Sequence, residues 1–338
     1  MFRRLRTGAR WLSYRAFPGA LILRYHRVAD LQSDPHATAV TPAHFAEQLE
    51  TLRARFRPLS LRSLVRSLGH EGPPRSGVVI TFDDGYADNL YQAKPLLERY
   101  EIPATVFVAT GAVDAGREFW WDELESILLR PGTLPRTLTL GTDDRPFEGE
   151  LGESATYTEA DYERDRGWSW RVERDPTARQ RLFRRVFQYL RELGVSERST
   201  ALAELREWAG GATSERRSHR ILTADELGAL AAGGLVEVGA HTITHPPLSR
   251  LSADERRKEI AGSKAFLEEV LGRPVTSFAY PYGDVGGSRR QVSEAGFHSA
   301  CTTRAGIATR YRDRLRLPRI YAGDWSGEEF ERRISELP

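Results

Sequence analysis

The sequence predicts an α/β fold built on a parallel sheet, and three observations carry this. Short runs rich in β-branched residues alternate with stretches of helical period along most of the chain. Such strand-then-helix units place their strands parallel. Polar groups capable of chemistry follow four of the strand-like runs, and parallel sheets carry their sites at the carboxyl ends of the strands. The alternation breaks between about residues 113 and 217, which marks a large insertion.

"ALILRYH" (20–26) reads as the first strand. Thr41 and Pro42 then have the character of an N-cap and first helical position. Phe45, Leu49, Leu52 and Phe56 follow at steps of four, three and four, the spacing of one helix face. "VVITF" (78–82) is the second strand, followed by a helical stretch to Tyr100, and "ATVFVAT" (104–110) is the third. Inside the insertion, "FWWDELESILL" precedes "RTLTLGTDDRPFEG", which reads as a hairpin. Helical patterns follow around 177–193 and 197–209. Thr223 to Glu226 is a capping box that resumes the alternation. "LVEVGA" (235–240) is a strand, and Ser252 to Glu255 caps the next helix. "VTSFAY" (275–280) and "HSACTT" (298–303) are further strands with a helix from Ser288 between them. Ser326 to Glu329 opens the last helix. The expected organisation is a basic segment at 1–18, a main domain at 19–112 and 213–338, and the insertion at 113–212.

The 338 residues suffice for one large α/β domain or two smaller ones. A chain that is 40% hydrophobic and 28% charged is ordinary for a soluble globular protein. The formal net charge of +2 implies no nucleic-acid partner. A single cysteine, Cys301, excludes an internal disulfide and a cysteine-based zinc site, and fits a reducing compartment. Residues 1–18 hold five arginines and several aromatics but no uninterrupted apolar core of a secretory signal. They read as a solvated leader, with contact to an anionic membrane surface as the alternative. A cytoplasmic location, or one peripheral to the inner face of the membrane, is the expectation.

In "VVITFDDGYADN" (78–89) a buried-looking strand ends on two adjacent acids, a costly arrangement unless something compensates them. In "HTITH" (241–245) two imidazoles stand four apart. Three β-branched residues between them and Pro246 after them oppose a helix, so both belong on a strand-end loop. Two histidines and one carboxylate leave an open coordination position for water on zinc. One of Asp83 and Asp84 can then bind metal while the other serves as a base; the spacing alone does not say which. The same inventory would suit the facial triad of an iron oxygenase, where the second aspartate has no evident use.

"TFDDG" (81–85), "HTITH" (241–245) and "YPYG" (280–283), in this order, resemble the motifs of the polysaccharide deacetylase family, the NodB-homology or carbohydrate esterase family 4 group. The resemblance covers roughly residues 19–112 and 213–320. It implies a distorted (β/α) barrel of about seven parallel strands. It implies Asp83 as general base, and Asp84, His241 and His245 as ligands of a divalent metal, usually Zn2+. The main chain at Tyr282, after Pro281, would help hold the oxyanion. Two features depart from the pattern. Ala279 stands where many members carry an arginine that orients the base; Arg319 in "LPRI" is the candidate substitute. The late histidine that serves as general acid is absent. "RYHRV" (24–28) is similar to the start of circularly permuted members, which implies His26 as the acid. The activity expected is removal of an N-acetyl group from an amino sugar in a glycan or glycan precursor. An O-acetyl esterase using the same site, an iron oxygenase and an inactive carbohydrate-binding protein are the alternatives. Trp120, Trp121, Trp168 and Trp170 read first as core of the insertion and second as sugar-stacking surfaces.

Overall fold

The structure, a computed structural model, describes residues 19–68, 72–141, 145–211 and 216–336. The basic segment 1–18, with its expected membrane contact, lies outside the described residues. Among them, no helix is long and apolar enough to cross a membrane. The described chain forms two compact units. One takes in the chain up to residue 30, 38–115 and everything from 221; the other takes in 31–37 and 116–220. The short segment 31–37, which the sequence groups with the barrel, thus belongs to the second unit.

The first unit is a curled sheet of seven parallel strands. They are β1 (Ala20–Tyr25), β2 (Gly77–Phe82), β3 (Ala104–Val108), β4 (Val236–Ala240), β5 (Ser277–Ala279), β6 (Ser299–Cys301) and β7 (Ile320–Tyr321). Their order in space is β6-β5-β4-β3-β2-β1-β7, and a two-residue strand at Arg57–Pro58 adds to β2. A parallel bridge from Leu317 to Cys301 ties the segment ahead of β7 to β6, at the far edge of the same sheet. This is the distorted barrel expected from the motifs.

Strand periodicity decides what each side chain meets. Leu21, Leu23, Tyr25, Val78, Ile80, Phe82, Val106, Val108, Val236 and Val238 pack in one cluster with helix residues such as Phe45, Leu49, Leu52 and Leu97. The alternate positions, Ala20, Ile22, Val79, Phe107, Ala279 and Cys301, pack in a second cluster with Leu61, Leu64, Val65 and Leu68 of the helix Leu61–Leu68. The second set faces the barrel interior. Continuing its parity past the strand ends leads to His26, Asp83, His241 and Pro281. Register then makes neighbours of residues distant in sequence: Arg24 pairs with Thr81, and the Asp83 N–H donates to the Tyr25 carbonyl at 3.1 Å.

The helix caps follow the local sequence. Thr41 accepts from the His44 N–H to open the helix Pro42–Arg55. Thr223 with Glu226, and Ser252 with Glu255, form capping boxes for Ala224–Ala231 and Ala253–Leu271. Ser326 caps Gly327–Ser335.

The second unit contains the helices Trp120–Leu128, Ala178–Glu192 and Val195–Trp208 and an antiparallel hairpin, Thr137–Leu140 with Phe147–Glu150. Trp120, Trp121 and Trp168 are buried. Trp170 stands edge-on to His36 and Phe187, with ring centroids 4.6 and 4.8 Å away. Trp120, Trp121 and Trp168 thus belong to the core of the unit, and Trp170 packs against it half-buried.

Candidate active site

The loop after β2 turns sharply at Asp84 and Gly85, both in the left-handed region with φ of 76° and 89°. A Cβ at residue 85 would come within 3.0 Å of Val108 Cγ1, so glycine answers both the backbone angle and the space. Thr242, His245 and Tyr282 are also left-handed, with φ of 66°, 54° and 58°. Each such non-glycine residue costs about 1–3 kcal/mol and persists only where its surroundings enforce it. Four of them fall on the loops that carry the predicted site.

Those loops bring Asp84, His241 and His245 together, all three buried, with candidate ligand atoms within 4.8 Å of one another. Asp84 Oδ1 is 3.6 Å from His241 Nε2 and 3.5 Å from His245 Nε2, and the two Nε2 atoms are 3.2 Å apart. His241 Nδ1 lies 2.7 Å from the Ala279 carbonyl oxygen. A carbonyl has no proton to give, so Nδ1 donates and the Nε2 lone pair of the neutral ring points at Asp84 and His245. Burial pushes the His241 imidazole down, which favours that neutral form. This donor set, with the orienting carbonyl behind it, fits a divalent cation such as zinc.

Asp83 is one residue from Asp84 but belongs to a different arrangement. Arg319 Nη1 donates to Asp83 Oδ1 at 2.6 Å and Nη2 to Oδ2 at 2.7 Å. The guanidinium is itself fixed, with Nε donating to the Thr302 carbonyl at 2.9 Å and Nη1 to Thr81 Oγ1 at 3.2 Å. Burial alone would push the Asp83 carboxyl up. The charge and hydrogen bonds of Arg319, together with the neighbouring His241 and His26, outweigh it and hold the carboxyl well below the usual carboxylate range. Arg319 thus reaches Asp83 from the far end of the chain, the contact expected of a substitute for an arginine at 279.

His26 follows β1 on the same rim. Burial pushes its imidazole down to about 3 against the pull of Asp83, with Arg24, Arg319 and His241 adding to the downward push. Nδ1 is buried and makes no hydrogen bond among the described residues. The near-neutral titration that would suit an acid is thus absent in the free protein, because desolvation dominates. Tyr282 lies beside His245, ring centroids 4.6 Å apart at 65°, and its carbonyl accepts from Thr303 Oγ1 at 3.1 Å. Pro281 is buried at the start of that turn.

Sequence reasoning missed a set of residues that hold His26. Asp88 accepts from Arg27 Nε at 2.9 Å and from the Val28 N–H at 3.1 Å. Asn89 Nδ2 donates to the His26 carbonyl at 2.9 Å and to Asp88 Oδ1 at 3.1 Å. The segment that follows Asp83 and Asp84 thereby grips the chain at His26 and the two residues after it. Asp88 and Asn89 stand four residues or so beyond the double aspartate, and that adjacency was the available signal.

A parallel barrel with a His2Asp cluster and an arginine-held aspartate at the carboxyl ends of its strands defines a hydrolase-type enzyme with a candidate metal centre. A polysaccharide deacetylase family model matches residues 70–132 and 177–299, and the chain belongs to that family. No curated protein matches it. Among solved structures it is similar to Streptococcus pyogenes deacetylase PplD in complex with acetate, at 20% identity and a TM-score of 0.57. That match covers 95% of this chain and 99% of the other. IcaB from Ammonifex degensii matches at 20% identity and a TM-score of 0.57, covering 94% and 96% of the two chains. The BpsB deacetylase domain from Bordetella bronchiseptica matches at 16% identity and a TM-score of 0.52, covering 90% and 96%. These likenesses establish the fold.

Proposed function

We propose that the protein hydrolyses the N-acetyl amide of an amino sugar in a glycan or glycan precursor, with a divalent cation, zinc first, bound by Asp84, His241 and His245. The observation that supports this best is the division of labour between adjacent aspartates. Asp84 Oδ1 lies 3.6 and 3.5 Å from two imidazole nitrogens, while both carboxylate oxygens of Asp83 accept from Arg319. When bound, the cation would polarise the acetyl carbonyl and acidify water.

This chain's residues would do the rest. Asp83, kept ionised by Arg319, takes a proton from the attacking water. The main chain around Tyr282, beside His245, would help hold the oxyanion. Cleaving the C–N bond leaves an amine that must be protonated, and His26 delivers that proton. Since burial keeps His26 neutral in the free protein, it must first receive the proton released at Asp83. An iron oxygenase would have no use for the Arg319–Asp83 pair.

The test is acetate release from N-acetylated and O-acetylated oligosaccharides, run alongside elemental analysis. Asp84→Ala, His241→Ala and His245→Ala should each lose metal and activity together. Full metal occupancy in all three variants would remove these residues from the site, and release from O-acetyl substrates alone would make the protein an esterase.

A further inference from the structure

The loop between the two histidines carries strained backbone at both Thr242 and His245, so something outside it must hold it. Its polar groups can be followed one by one. The Thr242 and Ile243 carbonyls accept from the Thr110 and Gly111 N–H groups at 3.1 and 2.8 Å. The His245 N–H donates to Thr242 Oγ1 at 3.1 Å. The Ile243 and Thr244 N–H groups both donate to Glu259 Oε2, at 2.8 and 2.9 Å, and Thr244 Oγ1 donates to Glu259 Oε1 at 2.7 Å. One carboxylate on the helix Ala253–Leu271 thus takes three hydrogen bonds from two consecutive residues. Such charge-assisted bonds are the stronger kind.

The helix grips the same loop a second way. Gly262 lies three residues after Glu259, on the same helix face. A Cβ there would come within 2.7 Å of Ile243 Cδ1. On the other side, a Cβ at Gly111 would come within 2.8 Å of the Ile243 carbonyl oxygen. Ile243 is held between two glycines while Glu259 holds the backbone beside it.

We propose that Glu259 is a positioning residue for the metal centre: it fixes the 241–245 loop in the strained shape that aims both imidazoles at Asp84. It has no place in the predicted ligand set and acts through the peptide N–H groups. Outer-shell groups of this kind typically change metal affinity by about 10- to 100-fold. Glu259→Ala should weaken zinc binding by roughly that factor. Glu259→Gln keeps an oxygen for the two N–H groups and should recover most of the loss. Thr244→Val, which removes one of the three bonds, should fall between Glu259→Ala and the wild type.

The experiment measures zinc affinity by competition with a chromophoric chelator on the full chain, with a melting curve of each metal-free variant. A purely structural residue would lower the melting temperature and leave the affinity of the folded protein unchanged; that result in Glu259→Ala would overturn the proposal. Should Glu259→Ala fail to fold, wild-type affinity in Thr244→Val would overturn it equally. The inference rests on the metal reading above, and the two fail differently. A wild-type protein that binds no divalent cation removes both. Wild-type binding with no change across the variants removes only the role of Glu259.

Discussion

Arg319 and Asp83 form a two-pronged ion pair with essentially no exposed surface: the arginine side chain is 0% exposed and the aspartate 4%. Burying a charge pair is favourable only when the geometry is good and the remaining hydrogen-bonding capacity is used. The geometry is good, and the Thr302 carbonyl and Thr81 Oγ1 take two of the three remaining guanidinium protons. The pair also has a chemical consequence. A buried carboxylate without Arg319 would be pushed up and spend more time protonated, which a base cannot tolerate.

Arg319→Ala would leave Asp83 charged and buried, and breaking such a pair costs about 3–5 kcal/mol, so the informative variant is Arg319→Lys. Lysine keeps the charge but loses the planar fork. The expected outcome is a folded protein with normal metal content and turnover lowered by roughly 100-fold, the scale of a misplacement near 1 Å. Turnover equal to wild type would show that Asp83 needs a positive charge nearby and no particular geometry.

That pair also marks the limit of what the sequence makes legible. The barrel strands are readable because Val78 to Phe82 and Ala104 to Val108 are dense β-branched or aromatic runs bounded by clear breaks. The aspartate pair and the two histidines are readable because strand ends are where parallel sheets keep their chemistry, while the choice of Asp84 over Asp83 as ligand comes from the family resemblance. β7 is two residues long and gives no periodic signal, so only the family resemblance points to Arg319. Its partner lies 236 residues away in sequence. Glu259 is equally hidden: within its helix it is one of many acids, and only the tertiary fold places it against the 241–245 loop. Residues 31–37 join the second unit because His36 packs there, a contact no local pattern announces.

His36 yields a pH prediction. Its ring lies 4.6 Å from that of Trp170 and 5.3 Å from those of Phe183 and Phe187. Burial in this aromatic surround pushes the imidazole down to about 4, partly offset by the Trp121 carbonyl, with Arg216 adding to the fall. The unfolded chain takes up the proton near 6.5 and the folded one does not until about 4. The unfolded state therefore binds more protons in that window, and stability rises with pH through it. This single group should cost up to about 1.4 kcal/mol per pH unit as pH falls from about 6.5 towards 4. Unfolding followed by tryptophan fluorescence at several pH values should show that slope in the wild type and a shallower one in His36→Phe. Identical slopes would mean that the ring is already protonated in the fold.

His26 carries the last prediction. Amide cleavage needs a proton on the departing nitrogen, and the late histidine common in the family is missing from this chain. His26 stands on the same rim as Asp83, inside the field of Asp83, Arg319 and His241. Asp88 and Asn89 hold the chain at His26 and the two residues after it. An imidazole that only filled space would not need so specific a mount, whereas a proton donor must meet the leaving nitrogen at hydrogen-bond distance. His26→Ala should keep fold and metal content and lose about 10²- to 10⁴-fold in amide hydrolysis, the range of general acid–base catalysis. An activated aryl acetate expels a leaving group that needs little protonation, so the same variant should lose far less on that substrate. The ratio of the two losses is the measurement that matters. A ratio near one, with metal retained, would mean that His26 is a packing residue and that the proton reaches the amine by another route.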